Sequence, residues 1–207
     1  MCIVCVVVQN VSLYLSVCLS VCLCVCAFSV SSNAVYIGVH IRRADMVTDY
    51  KYTVADTGYF RRAVLYMTRK FPNNQLVFVV CTDELLWSKL HFSKAVAYSA
   101  NRVTVGIHGN SAIGNHNDSY VIRTTTTTTT TTNNAIVVFS EDRRAEEDLA
   151  ILSSCNHTIM SVGTFGWWAG YLAGGVTVYY RNFPRRGAEL MPLFSRADFF
   201  PPEWIGL

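Results

Sequence analysis

From Val35 onward the chain repeats one pattern, a short unbroken apolar run followed by a longer stretch with apolar residues at helical spacing. Val35–Ile41 reads VYIGVHI, Leu76–Cys81 reads LVFVVC and Ile136–Phe139 reads IVVF. His157–Ser161 and Val176–Tyr180 are two further runs. Continuously apolar, β-branched runs of this length belong to strands buried on both faces. Between them, Thr57–Phe71 carries Tyr59, Phe60, Ala63, Val64 and Met67 at helical spacing, with Asp56 placed to cap it and Pro72 to stop it. Glu84–Lys94, Arg144–Ser153 and Phe165–Leu172 read as helices too. Glu146, Glu147 and Asp148 suit the positive end of the third, and Gly174-Gly175 closes the last. This alternation predicts an α/β domain with a parallel sheet covered by helices on both faces.

In such sheets ligands bind beyond the carboxyl ends of the strands, so chemistry is sought there. His40-Ile-Arg42-Arg43-Ala-Asp45 follows the first strand. Paired guanidinium forks match phosphate oxygens, which reads as a diphosphate clamp. In the plainer reading one arginine is solvated and the other pairs with Asp45. Thr82-Asp83-Glu84 follows the second strand and Ser140-Glu141-Asp142-Arg143 the third. A carboxylate there holds ribose hydroxyls or a guanine edge, or Asp83 simply caps the next helix. After the fourth strand, Ser161-Val-Gly163-Thr164-Phe165-Gly166 leads straight into a helix, where free N–H groups and the helix dipole meet a phosphate. Asn156-His157-Thr158 is formally a glycosylation sequon, but its place at a strand start predicts a satisfied core histidine instead. Trp167 and Trp168 are expected to pack in the core.

The chain is 51% hydrophobic and 15% charged, which excludes global disorder. A formal net charge of +3, with no basic cluster larger than an arginine pair, does not suggest a nucleic-acid binder. There is no P-loop, no GxGxxG after a strand and no HExxH or GxSxG. No Asp-x-Asp motif accompanies the arginines, so cationic side chains rather than a metal are expected to neutralise a diphosphate.

Two segments depart from this pattern. Residues 1–33 form an apolar stretch with no charge among the first thirty residues and six of the eight cysteines: Cys2, Cys5, Cys18, Cys22, Cys24 and Cys26. The run 11–30 is long enough to cross a bilayer as a helix. It is also a short-period repeat of the kind that the four-base repeat TGTC encodes as Cys-Leu-Ser-Val. Membrane anchor and translated repetitive DNA are two open readings, and an aggregating strand, from its many β-branched residues, is the third. Residues 98–134 read as an irregular insertion, rich in Gly, Asn and Ser and ending in nine consecutive threonines, Thr124–Thr132. Asn117-Asp-Ser119 within it is a sequon available if the chain is luminal.

His40-Ile-Arg42-Arg43-Ala-Asp45 resembles the HxRRxD motif of fucosyltransferases that use GDP-fucose. Asp148-Leu-Ala-Ile-Leu, with Cys155-Asn-His-Thr-Ile-Met-Ser-Val-Gly-Thr-Phe-Gly-Trp-Trp-Ala, is similar to a motif of the galactoside α-1,2-fucosyltransferases. Phe200-Pro-Pro-Glu-Trp204 resembles their C-terminal end. The resemblance spans about 35–97 and 135–207. It implies a Rossmann-like sheet, the nucleotide-binding half of a GT-B glycosyltransferase, over 34–207. It also implies metal-independent, inverting transfer of L-fucose from GDP-fucose to the 2-hydroxyl of a galactose-terminated glycan, by a type II Golgi membrane glycoprotein. No cofactor is expected. By the matched motif Arg42 holds the β-phosphate and His40 supports the nucleotide, while Arg43 and Asp45 shape the donor pocket. Asp148 contacts guanine, and Thr164 and Phe165 meet the phosphate end. Asp83 is a further donor-binding candidate. Arg42 and Asp45 are the catalytic candidates, Asp45 as the base. Family members carry another domain before HxRRxD, which holds much of the acceptor site. The alternative is therefore a GDP-sugar-binding fragment or pseudoenzyme without transfer.

Overall fold

Six parallel strands lie in the order β3-β2-β1-β4-β5-β6, with helices on both faces. They are β1 Val35–Ile41, β2 Leu76–Thr82, β3 Ile136–Phe139, β4 His157–Met160, β5 Thr177–Tyr179 and β6 Ile205–Gly206. The helices are α1 Ala44–Thr48, α2 Thr57–Lys70, α3 Leu85–Ser99, α4 Ala145–Ser153, α5 Thr164–Ala173 and α6 Arg196–Phe199. This computed structural model describes residues 32–48, 52–99, 135–141, 144–184 and 191–207. The apolar segment at 1–31, most of the insertion at 98–134 and the Asn117 sequon lie outside the described residues.

The sheet is doubly wound, as parallel pairing demands. On one face Ile37, Val39, Ile41, Phe78, Val80, Val137 and Phe139 pack against α2 and α3. Their strand neighbours Val77, Val79, Cys81 and Val138 point the other way and meet Ile151 and Leu152 of α4 and Ala169 of α5. The alternation is the two-residue period of the strand. Gly38 faces α4, where a Cβ would lie 3.1 Å from Leu152 Cδ2 and 3.2 Å from its carbonyl oxygen, so its lack of a side chain lets the helix sit close.

Helix α2 follows its sequence closely. Asp56 Oδ1 accepts from the Tyr59 N–H at 2.7 Å, and the five apolar residues named above are its buried stripe. Tyr59 also pins neighbouring strand ends, since its hydroxyl lies 2.6 Å from the Met160 carbonyl and 3.2 Å from that of Val178.

Three features differ from the sequence reading. Helix α3 runs on to Ser99 because Ala95, Val96 and Ala97 continue its buried side, so Tyr98 and Ser99 are helical rather than the start of an insertion. Helix α1, a single turn, falls within the stretch read only as a motif. The tail, residues 192–207, whose aromatics and prolines read in the sequence as a cover over the domain, also joins the sheet. Trp204 and Phe200 pack on Met160, and the two residues of β6 pair with β5 as the sixth strand.

Candidate functional site

The strand order reverses direction between β1 and β4, the switch point at which sheets of this kind place a ligand crevice, beyond the strands' carboxyl ends. The edges of the crevice are tied together. The Ser161 N–H donates to the His40 carbonyl at 3.0 Å, and the Arg42 N–H donates to Ser161 Oγ at 2.8 Å. Ser161 is buried, and in the sequence it reads only as the end of the fourth apolar run and the start of a Gly/Thr turn. Its position one residue past β4 was the available signal.

Arg42 leaves β1 directly into this crevice, with its side chain 39% exposed. Its Nη2 donates to Asp45 Oδ2 at 2.6 Å, one turn along in α1. Its Nε lies 3.3 Å from Asp83 Oδ2, an ion pair without a directed hydrogen bond. Arg42, Asp45 and Asp83 thus form one cluster at the ends of β1 and β2. Asp83 does not turn toward the following helix. Its Oδ1 accepts from the Arg43 N–H at 2.9 Å, and the Glu84 N–H is satisfied by Thr82 Oγ1.

Arg43 makes its side-chain contacts inside the fold. Its Nε donates to Glu84 Oε2 at 3.1 Å, its Nη1 donates to the Ala55 carbonyl at 3.0 Å, and its Cζ lies 3.8 Å from the centre of the Trp87 ring. Only 15% of the side chain is exposed. The adjacent arginines of the motif therefore occupy different surroundings, one in the crevice and one in the wall behind it.

His40 lies beneath α5. A Cβ on Gly166 would lie 2.5 Å from His40 Nδ1, so the imidazole occupies the space a side chain on α5 would take, and Phe165 covers it at 5.1 Å. Nδ1 is buried with no hydrogen-bond partner. Burial first, and then the charge of Arg42, push the imidazole down to about 4. An unfolded histidine takes up its proton near pH 6.5 and this one only near 4, so between those values the unfolded chain binds more protons. Stability from this group is complete above about pH 6.5 and is lost as pH falls toward 4, by about 3 kcal/mol in all. Urea denaturation at stepped pH should show that fall, and His40→Leu should flatten it relative to the parent. His91 and His157, also lowered by burial first, contribute in the same sense in both proteins.

Gly163 begins α5 with φ at +89°, which a glycine adopts without strain, and no side chain caps the first turn. Thr164 at that end is exposed and Phe165 half-buried. Asp148 stands apart from the Arg42 cluster, in the first turn of α4, and accepts from Ser140 Oγ at 2.6 Å. Ser140 extends the β2–β3 pairing by donating its N–H to the Val80 carbonyl. Among the described residues no group of three His, Cys, Asp or Glu is placed to hold a metal, and no helix is long and apolar enough to cross a membrane.

His157 is satisfied but lies at the edge of the core rather than in it: half-buried, it stacks on Phe71 at 4.3 Å and accepts from the Val176 N–H. Asn156 Oδ1 accepts from the Tyr36 N–H. Trp167 also packs as expected, its Nε1 donating to the Phe199 carbonyl at 2.6 Å. Trp168 does not. It is 51% exposed, because its position on α5 faces away from both the sheet and the tail.

A family model described as glycosyl transferase family 11 matches residues 15–113 and 127–207. Among curated proteins, galactoside 2-alpha-L-fucosyltransferase SEC1 of Bos taurus is 31% identical over 86% of this chain and 39% of its own length. Galactoside alpha-(1,2)-fucosyltransferase 2 of Mus musculus is 30% identical over 86% of the chain and 42% of its own length. Galactoside alpha-(1,2)-fucosyltransferase 1 of Homo sapiens is 32% identical over 83% and 38% respectively. The chain spans about two-fifths of the length of these relatives.

Proposed function

The chain belongs to glycosyl transferase family 11, and on that premise we propose that it binds GDP-fucose at the β1/β4 crevice and serves the inverting transfer of L-fucose to a galactose 2-hydroxyl. The observation that carries the reading is Arg42, a part-exposed guanidinium held at the switch point of a sheet whose relatives are named as galactoside fucosyltransferases.

Arg42 exchanges its carboxylate partners for the β-phosphate, where its fork makes paired charge-assisted hydrogen bonds. The acceptor oxygen attacks the anomeric carbon from the face opposite GDP, the C–O bond to the β-phosphate breaks, and GDP leaves with its electron pair. Charge builds on the phosphate as this bond opens, and a fixed cation stabilises it without reorganising. Once Arg42 turns to the phosphate, Asp45 is released to take the acceptor proton. The first-turn N–H groups at Thr164 and Phe165 meet the phosphate end. Asp148, oriented by Ser140, accepts from the guanine edge, and Asp83 and His40 complete the donor side. No metal takes part. The whole protein acts on galactose-terminated glycans from the luminal side of the Golgi membrane.

Calorimetry with GDP, UDP and ADP tests the donor site, and release of GDP from GDP-fucose in the presence of a β-galactoside tests the transfer. GDP is expected to bind at least about tenfold tighter than UDP, the equivalent of one well-placed hydrogen bond to a charged group. Equal affinity for all three nucleotides would sink the donor assignment. GDP binding with no fucosylated product would leave the chain a GDP-sugar-binding protein.

A further inference from the structure

We propose that Glu84, just before α3, and Trp87, in its first turn, are positioning residues that act through Arg43 to aim Arg42 into the crevice. The inference rests on the donor-site reading above and assigns Arg43 no contact with the ligand. Residues 42 and 43 form the whole link between β1 and α1. Whatever fixes the backbone at Arg43 therefore fixes the direction in which Arg42 leaves the strand. Arg43 is held at four points: its N–H by Asp83, its Nε by Glu84, its Nη1 by the Ala55 carbonyl, and its guanidinium face by Trp87 at 3.8 Å.

Trp87 is itself held from behind. It stacks on His91 at 4.4 Å with the rings 15° apart, and its ring meets Phe60 edge-on at 6.2 Å. His91 Nδ1 is 2.9 Å from Thr57 Oγ1, the first residue of α2. A continuous line of contacts thus runs from the α2–α3 core through Trp87 to the guanidinium of Arg43 and its backbone. A planar cation on an indole with a two-point fork is a site lysine cannot reproduce. The side chain of Arg42 pairs instead with Asp45 and with the second oxygen of Asp83, whose first oxygen holds the Arg43 N–H.

The test compares the parent chain with Trp87→Phe, Trp87→Leu, Glu84→Gln and Arg43→Lys, each also in an Arg42→Lys background, with thermal melts as the folding control. GDP affinity is expected to fall about tenfold in Trp87→Leu and Arg43→Lys, somewhat less in Glu84→Gln, and to be largely kept in Trp87→Phe, which retains a ring under the cation. In the Arg42→Lys background, where the fork to be aimed is gone, Trp87→Leu should add less than about twofold. The Nε–H resonance of Arg42, identified by its loss in Arg42→Lys, gives a readout independent of GDP. It should move toward its solvated position in Trp87→Leu and Glu84→Gln and stay in place in Trp87→Phe. Unchanged affinity and resonance in Trp87→Leu and Glu84→Gln would overturn the proposal, as would an equal loss of affinity in both backgrounds. If the parent fails to bind GDP but the resonance moves as stated, the donor-site reading falls and the positioning role stands.

Discussion

Arg42→Ala is expected to weaken GDP binding by at least about 100-fold while leaving the fold in place, because one preorganised cation at a phosphate is typically worth about 3 kcal/mol or more. The residue is 39% exposed and its two partners are surface carboxylates, so its ion pairs add little to stability. Its loss also leaves Asp45 and Asp83 beside the crevice without their cation, which adds repulsion toward a diphosphate. Arg42→Lys should fall between parent and alanine, since it keeps the charge and loses the fork. Calorimetry with GDP beside a thermal melt separates the effects. A lost melt together with lost binding would mean that Arg42 is structural. Retained binding in a folded Arg42→Ala protein would remove the crevice from consideration as the diphosphate site.

Phe60→Ala should cost about 3–5 kcal/mol, a large share of what a single domain has. Phe60 has no exposed surface and meets Tyr59, Trp87 and Phe92 edge-on at 5.1, 6.2 and 5.7 Å. Removing it opens a cavity where α2 and α3 meet the sheet, and rigid rings around it collapse poorly. Phe60→Leu should cost much less. The urea midpoint reports the difference. A loss under about 1 kcal/mol for the alanine variant would mean the aromatic cluster is not packed as described. The same cavity lies under Trp87, so GDP affinity in the surviving folded fraction should fall along with stability.

The helix stripe on α2 and the apolar runs of β1, β2 and β3 were legible because burial on one or two faces forces a period that residues alone can display. The end of α3 was obscured because Ala95, Val96 and Ala97 have the small apolar character of either a helix or a loop flank. Strand β6 has two residues, too few for any period, and exists because Trp204 and Phe200 anchor the tail beside β5. Trp168 shows the same limit from the other side. Its neighbour Trp167 is identical in type, and only the direction each takes from α5 decides that one packs and the other faces solvent.

The residues themselves determined the parallel α/β class and pointed to the strand ends, where Arg42, Asp45 and Asp83 stand out as charges placed beside apolar runs, while Asp148 is a candidate only by family resemblance. Tertiary structure alone decided how the pair Arg42-Arg43 divides its work. Adjacent identical side chains have the same chemistry in sequence. Apart from Asp45, three residues on from Arg42, their partners lie 12 to 119 positions away, at Ala55, Asp83, Glu84, Trp87 and Ser161, and only the closing of β1 against β2 and β4 brings those partners within reach.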